Sequence, residues 1–282
     1  MNDQEPTVLV LGATGKTGSR VAANLSKRGM SVRTAARSGA DVDFDWSHRD
    51  SYASALKAVD RLYLVAPVMR LDFAEDVSRF LDEAEAAAVR HVTFLSAYGM
   101  EHAPDDVATR SVELDLLRRR RLSHTILRPA WFMQNFSETF LRPIDGAILV
   151  PTGNGSEAFV DAEDIAAVAA TTLAAPTAHA GAAYNLTGPE SLTVAEAASI
   201  ISEATGQTIV HHDLDRDAWI AGAIANGTPA EYGAVLRQLT ETIASGNGSR
   251  PDDTVGRITG TPSRTFRDFA RKNTAAWKAA SK

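Results

Sequence analysis

Three glycines with regular spacing stand in GATGKTG, directly after an apolar run and before an amphipathic helical pattern. Glycine allows a tight turn and a close approach of backbone to a ligand because it has no side chain. A helix that begins at such a loop directs N–H groups and the positive end of its dipole towards an anion. The GxxGxxG spacing therefore predicts a loop that binds the pyrophosphate of a dinucleotide rather than a purely structural turn. The residues assigned to this loop are Gly12, Thr14, Gly15, Lys16, Thr17 and Gly18.

A second chemical feature follows the second predicted strand. Chains that bind NAD carry an acidic residue about 20 residues beyond the glycine loop, where it takes the ribose hydroxyls. This chain has Arg37 and Ser38 at that place. A guanidinium and a hydroxyl suit the 2′-phosphate of NADP(H) better than a bare ribose, so NADP(H) is expected to be preferred, with NAD(H) possible. The alternative is that Arg37 is a solvated arginine at the end of a strand.

The elements that must position these residues alternate along the first half of the chain. Apolar strand patterns are separated by helical patterns such as GSRVAANLSKRG and DFAEDVSRFLDEAEAAAV. Such alternation predicts an α/β fold with right-handed crossovers and a Rossmann-like, doubly wound parallel sheet. The strand patterns are, in chain order, TVLVLG, SVRTAA, DVDFDW, RLYLVAP, HVTFLSAYG and SHTILRP.

The pattern changes from about Ala130, which predicts a Rossmann core over residues 1–129. Residues 130–282 are expected to complete the sheet and form a smaller substrate-binding region within one compact unit. Within this part, DIAAVAATTLAA, TVAEAASIISEATG and the final RTFRDFARKNTAAW are predicted helices. AAYNLTG and QTIVHHDL are predicted strands, and IASGNGSRPDDTVGRITGTP is predicted to be a loop or edge segment.

Composition restricts the classes of function. The chain has 282 residues, a formal net charge of −6 and no cysteine, so cysteine nucleophiles, disulfides and cysteine metal sites are excluded. The negative charge argues against a nucleic-acid or membrane-surface partner. The amino end, MNDQEPT, does not resemble a secretory signal, and the cytoplasm is the expected location.

Several motifs together resemble the NmrA-like branch of the atypical short-chain dehydrogenases and reductases. They are GATGKTG, the arginine after the second strand, LVAP, FLSAYG, TILRPAWFMQNF, FVDAEDIA and YNLTGPESLTVAEAA. The resemblance implies that Ala66 and Pro67 lie against the nicotinamide riboside and that Asp45 and Trp46 border the adenine. For Asp45, a turn carboxylate is an equal alternative. The family includes quinone or carbonyl reductases and redox-sensing regulators.

Typical members of the superfamily use a Tyr-x-x-x-Lys pair as the proton donor, and this chain has no such pair. Two candidates follow the fifth strand: Ser96, which is also a candidate cofactor contact, and Tyr98. A structural hydrogen bond for the serine and a role in the pocket wall for the tyrosine are the alternatives. His102 is expected to be a surface residue.

An aromatic stretch follows the sixth strand and has the composition of a pocket for a planar ligand, although core packing is the alternative. By resemblance, its two amides line the nicotinamide and substrate side. The predicted substrate pocket comprises Tyr98, Trp131, Phe132, Gln134 and Asn135.

These features predict an NAD(P)H-dependent reductase that delivers hydride to a carbonyl or quinone of an aromatic small molecule, such as a ketoreductase of polyketide-type secondary metabolism. A dinucleotide-sensing regulator without turnover is the main alternative. An isomerase or dehydratase with a retained cofactor is a third class. The sequence does not distinguish a monomer from a homodimer as the oligomeric state.

Three further groups of polar residues are interpreted as structural. His211, His212, Asp213 and Asp215 lack the arrangement of a metal site, so no metal is expected. The basic run of residues 118–121 is expected to be a solvated helix end. Asp161 and Asp164 are expected to cap and to begin a helix.

Overall fold

The computed structural model describes residues 5–277 of the chain and separates into two compact units. The first unit comprises the residues up to Pro129 together with Ala162–Leu186 and Arg257–Gly260. The second comprises Ala130–Asp161, Thr187–Gly256 and the residues from Thr261 onwards. The residues that complete the first unit therefore include a segment well beyond residue 129.

Strands and helices alternate through the described residues. The strands are β1 (Thr7–Leu11), β2 (Ser31–Ala36), β3 (Val42–Asp43), β4 (Arg61–Val65), β5 (His91–Leu95), β6 (Ser123–Pro129), β7 (Ala147–Leu149), β8 (Ser156–Glu157), β9 (Ala182–Leu186), β10 (Leu192–Thr193) and β11 (Val210–His212). The helices are α1 (Gly18–Lys27), α2 (Asp50–Leu56), α3 (Ala74–Ala86), α4 (Ala108–Arg118), α5 (Asn135–Glu138), α6 (Ala162–Ala174), α7 (Pro176–His179), α8 (Val194–Thr205), α9 (Arg216–Ala225), α10 (Gly233–Ala244), α11 (Thr254–Thr259) and α12 (Phe266–Lys272). Single 3₁₀ turns lie at Met100–His102, Ala230–Tyr232 and Thr274–Ala276.

The first unit is built on a parallel sheet of seven strands in the order β3-β2-β1-β4-β5-β6-β9. The chain moves outwards from β1 through β2 and β3, then returns to place β4 on the other side of β1. This reversal is the switch point at which ligands bind in open α/β sheets, outside the carboxyl ends of the strands. The Rossmann-like fold predicted from the sequence is confirmed.

The core of the first unit follows from the apolar pattern of its elements. Val8–Leu11 of β1 are fully buried, as a central parallel strand requires. Helix α3 buries Val77, Phe80, Leu81 and Ala84, whose spacing forms one face of a helix. Helix α6 is alanine-rich and buries nine of its 13 residues, and its small side chains allow it to pack closely on α1.

The second unit has two small sheets, an antiparallel pair of β8 with β10 and a parallel pair of β7 with β11. Its core contains Phe136, whose ring meets those of Phe159 and Phe266 edge-on at centroid distances of 5.0 Å. Helix α8 begins with a capping box in which Thr193 and Glu196 each bond the other's backbone N–H.

The prediction of a loop or edge segment over residues 243–262 is wrong in part. Helix α10 continues to Ala244, and α11 forms at Thr254–Thr259. The carboxylate of Asp252 accepts the backbone N–H of Thr254 at 2.8 Å, which starts the chain into this short helix. No described helix is long and apolar enough to cross a membrane.

Candidate functional site

The glycine loop joins β1 to α1 and folds back on itself. Gly12 has a φ of +63°, and the N–H of Gly15 bonds its carbonyl oxygen at 2.8 Å. A Cβ added to Gly18 would lie 2.2 Å from that same oxygen, so any side chain there would displace the loop backbone. Among residues 5–277, the Thr17 side chain makes no capping hydrogen bond at the start of α1. The loop geometry and the helix start thus fit a bound pyrophosphate.

Arg37 and Ser38 directly follow β2 and are exposed. Within residues 5–277, the Arg37 guanidinium forms no hydrogen bond or ion pair. The next residue, Gly39, lies beside the glycine loop, because a Cβ built on it would be 3.7 Å from Cγ2 of Thr14. The segment that carries the exposed Arg37 therefore runs beside the loop that fits a pyrophosphate.

Asp45 and Trp46 follow β3. The Asp45 carboxylate accepts the N–H of Ser47 at 2.8 Å and lies 3.4 Å from Nδ1 of His48. The hydrogen bond from Ser47 lowers the pKa of Asp45, with a smaller contribution from His48. This is the geometry of a turn carboxylate. Trp46 is half-buried, and its ring contacts that of Phe80 edge-on at 5.3 Å.

Residues after β4 and β5 meet at the carboxyl edge of the sheet. Val65 pairs with Leu95, so Ala66 and Ser96 follow neighbouring strands. Val65 also lies against the glycine loop, 3.7 Å from a Cβ built on Gly12. Ala66 and Pro67 are half-buried. The structure thus brings the predicted cofactor residues of the first unit to one edge of its sheet.

Ser96 belongs to a buried polar network that was not predicted from the sequence. Its Oγ donates to Oε1 of Glu113 at 2.6 Å, and Ser96 is 7% exposed. Glu113 is 0% exposed and accepts two hydrogen bonds of 2.8 Å from Arg128 and one of 2.9 Å from Arg110. Burial raises the pKa of Glu113, but the bonds and charges of Arg128, Ser96 and Arg110 outweigh burial and hold that pKa below its ordinary value. The only sequence signal was an acid between Val112 and Leu116, on the apolar face of α4.

Tyr98 is fixed by its backbone, while its side chain faces solvent. Its N–H donates to the carbonyl of Pro129 at 2.9 Å, and the residue is 37% exposed. Its hydroxyl forms no hydrogen bond within the described part of the chain. His102 lies in the 3₁₀ turn that follows and is exposed, as predicted.

The aromatic stretch after β6 lies in the second unit and has two environments. Met133 and Phe136 are core residues, so part of the stretch follows the core-packing alternative. Trp131, Phe132 and Asn135 are half-buried, and the Trp131 ring meets that of Phe140 edge-on at 5.4 Å. Gln134 is buried and donates from Nε2 to Oδ1 of Asp161 at 2.7 Å.

Glu157 is a second buried carboxylate, and it contacts the backbone of this stretch at Trp131. The sequence did not predict a role for it. It accepts the backbone N–H of Ser249 at 2.9 Å and the hydroxyl of the same serine. The N–H of Trp131 is a third, longer donor at 3.4 Å. Burial raises the pKa of Glu157, and the bonds from Ser249 and Trp131 oppose this only in part.

The residues considered for a metal site have separate structural roles. His211 Nε2 lies 2.9 Å from the carbonyl oxygen of Val150. The Asp213 carboxylate accepts the N–H of Gly153, and Asp215 accepts that of Ala218 at the start of α9. Among the described residues, no group of three or more histidine or acidic side chains is placed to hold a metal.

The basic run at residues 118–121 is not wholly solvated, which corrects the sequence-based expectation. The Arg119 side chain is only 8% exposed, because its guanidinium bonds Asp115 and Asp82 at 2.9 Å each. It thereby ties α4 to α3. Asp161 directly precedes α6 and Asp164 lies in its first turn, which are the positions that the sequence predicts for them.

The fold and the glycine loop define a Rossmann-like dinucleotide-binding protein, and comparisons with known proteins give the family. Residues 12–176 match the NAD(P)H-binding family, so the chain belongs to the NAD(P)H-binding family of oxidoreductases. This membership and the seven-stranded sheet confirm the resemblance seen in the sequence motifs.

Two curated relatives extend over nearly the whole chain. It is 38% identical to the uncharacterized oxidoreductase YesF of Bacillus subtilis, with 98% of each chain covered. It is 30% identical to festuclavine synthase II of Penicillium roqueforti, over 96% of this chain and 99% of the relative. A solved structure, the NADPH-dependent quinone oxidoreductase QOR2 of Escherichia coli with NADPH, matches with a TM-score of 0.74 at 21% identity, covering 94% of this chain and 99% of that one.

Proposed function

We propose that this protein is an NADP(H)-dependent reductase that delivers hydride to a carbonyl or quinone of an aromatic small molecule. A ketoreductase acting on polyketide-type aromatic ketones is one such enzyme. The observation that carries the proposal is the shared carboxyl edge of one sheet, which holds the glycine loop, the exposed Arg37 and Tyr98, whose hydroxyl forms no hydrogen bond with any described residue.

Different residues of the site would bind different parts of NADP(H). The glycine loop and the start of α1 would hold the pyrophosphate, and Arg37 with Ser38 would hold the 2′-phosphate. NADP(H), when bound there, supplies the hydride. Ala66 and Pro67 would border the nicotinamide riboside, and Asp45 with Trp46 the adenine.

Proton delivery is assigned to Tyr98. No Tyr-x-x-x-Lys pair exists in the sequence, and the Ser96 hydroxyl is already donated to Glu113. The Tyr98 hydroxyl is the remaining candidate to donate a hydrogen bond to a substrate oxygen. A quinone or a phenol-substituted ketone needs little acid catalysis, because its developing oxyanion is delocalised or bonded internally.

The substrate class is supported by the half-buried aromatic surface and by the relatives. Trp131 and Phe132 offer flat apolar faces and Asn135 an amide, which suits a planar ring with polar substituents. The named relatives include a quinone oxidoreductase and a festuclavine synthase.

The test is steady-state NADPH oxidation with quinones and polycyclic aromatic ketones, comparing the wild-type protein with Tyr98→Phe. Loss of the hydroxyl is expected to lower kcat by on the order of 10²-fold for ketones and less for quinones. Tyr184→Phe is the matched control, because its hydroxyl is bonded to His179 at 2.9 Å. It should leave the rates unchanged.

A dinucleotide-sensing regulator remains the competing function. Tight NADPH binding without turnover by the wild-type protein on any member of the panel would favour the sensor. Equal kcat for wild type and Tyr98→Phe on ketones would remove Tyr98 from the proton pathway.

A further inference from the structure

A carboxylate on α4 forms a buried polar cluster with the segment after β5 and the end of β6. Glu113 is fully buried, yet its two oxygens accept four hydrogen bonds of 2.6–2.9 Å, from Ser96, Arg110 and Arg128. A buried carboxylate is costly unless it is paired and hydrogen-bonded, and this one is both. The four hydrogen bonds hold the carboxylate in one orientation.

The charges of the cluster fix the direction of one hydrogen bond. Two guanidiniums face Glu113, and Glu101 lies 3.5 Å from the far side of Arg128. An ionised carboxylate only accepts, so the single O–H proton of Ser96 is donated to Glu113. The Ser96 oxygen can therefore offer nothing but lone pairs to a ligand.

The same cluster holds the loop that carries the candidate donor. The N–H of Ser96 bonds the carbonyl of Leu127, and the N–H of Tyr98 bonds that of Pro129. These carbonyls flank Arg128, whose side chain makes a two-pronged bond to Glu113. The end of β6 and the segment after β5 are thus fastened to α4 through one carboxylate.

We propose that Glu113 is a positioning residue of the reductase site, which acts through Ser96. It orients the serine oxygen as a hydrogen-bond acceptor for an N–H or O–H group of the bound cofactor or substrate, and it leaves Tyr98 as the donor to the reacting oxygen. This inference rests on the proposed function.

The test is a double-mutant cycle on kcat and KM with the quinone and ketone panel, using Glu113→Gln, Ser96→Ala and the two together. Misplacement of a positioned group by about 1 Å costs on the order of 10²-fold in rate, so each single variant is expected to lose kcat with little change in the KM for NADPH. If Glu113 acts through Ser96, the double variant loses no more than the poorer single variant. Asp115→Asn is the matched control, because it removes one negative charge from the same helix where that charge bonds Arg119.

Failure of the proposed reductase function and failure of the proposed role of Glu113 give different results in this experiment. No turnover by the wild-type protein overturns both. Wild-type turnover with multiplicative losses in the cycle, or with Glu113→Gln as active as wild type, overturns the role of Glu113 alone.

A second pair of variants covers failure of Glu113→Gln to fold, since that change leaves two guanidiniums without their carboxylate. Ser96→Ala keeps the ion pairs and is expected to lose kcat, whereas Ser96→Thr keeps a hydroxyl to donate to Glu113 and is expected to recover most of it. Full activity of Ser96→Ala would overturn the proposal.

Discussion

The glycine loop leaves no space for a side chain at Gly18. A Cβ at this position would lie 2.2 Å from the carbonyl oxygen of Gly12 and 2.7 Å from its carbonyl carbon. Ordinary contact distances require the two chain segments to separate by roughly 1 Å. Overpacking of this kind costs ~1–3 kcal/mol, so Gly18→Ala is expected to lower the Tm by roughly 3–10 °C.

The same movement displaces the backbone that would contact the pyrophosphate. Loss of one or two such charge-assisted hydrogen bonds is expected to raise the Kd for NADPH by on the order of tenfold or more, measured by isothermal titration calorimetry. Gly29→Ala is the control. Gly29 has a φ of +76°, and no atom of the described residues lies within 4 Å of an added Cβ, so this variant loses ~1–2 kcal/mol of stability to backbone strain without affecting the glycine loop. A wild-type Kd for Gly18→Ala would refute the assignment of this loop to the cofactor.

Two further perturbations test other parts of the first unit. Arg37→Ala is expected to raise the Kd for NADPH by about tenfold or more and to leave that for NADH unchanged; equal effects on both would contradict a 2′-phosphate contact. Burial lowers the pKa of His91 to about 4, with smaller contributions from His124, Arg61 and His179. Below the ordinary pKa of histidine the unfolded chain binds a proton that the folded protein excludes, so stability is full above that pKa and is lost as the pH falls towards 4. Between pH 6.5 and pH 5, the free energy of unfolding measured by urea denaturation should fall by on the order of 2 kcal/mol more for the wild-type protein than for His91→Gln. Equal decreases for the two proteins would show that His91 is not buried in its neutral form.

The parts of the fold that the sequence predicts well carry local signals. After its first residue β1 is an unbroken apolar run, and Gly12, Gly15 and Gly18 follow at a spacing that is typical of a strand-loop-helix connection. The switch of strand order at β1 then follows from the alternation of strands and helices. Short-range chemistry also identified Asp45 as a possible turn carboxylate, which is its observed geometry.

The parts that escaped prediction depend on contacts between distant residues. Nothing in the spacing of Ser96, Glu113 and Arg128 indicates that three elements bring them together around a buried charge. Glu157 and Ser249 are 92 residues apart in the sequence, and no local pattern around either residue predicts the hydrogen bond between them.

Helices were missed for a different reason. No element was predicted for α9, which buries only Ile220 and has a weak apolar face. Helix α11 is short, and the glycine, proline and aspartate residues before it have the composition of a loop. The prediction that Arg119 is solvated is wrong because acidic residues of α3 and α4 surround its guanidinium. A basic residue at a helix end is normally exposed, and the local sequence does not show the contact with α3.

The proposed reductase must consume NADPH when a quinone or ketone substrate is present. The most direct measurement is the consumption of NADPH and NADH, at equal concentrations, with a panel of quinones and polycyclic aromatic ketones beside a direct cofactor-binding titration. Turnover with NADPH preferred over NADH is the predicted result. Tight binding of NADPH with no consumption on any substrate would contradict the reductase and favour a dinucleotide sensor.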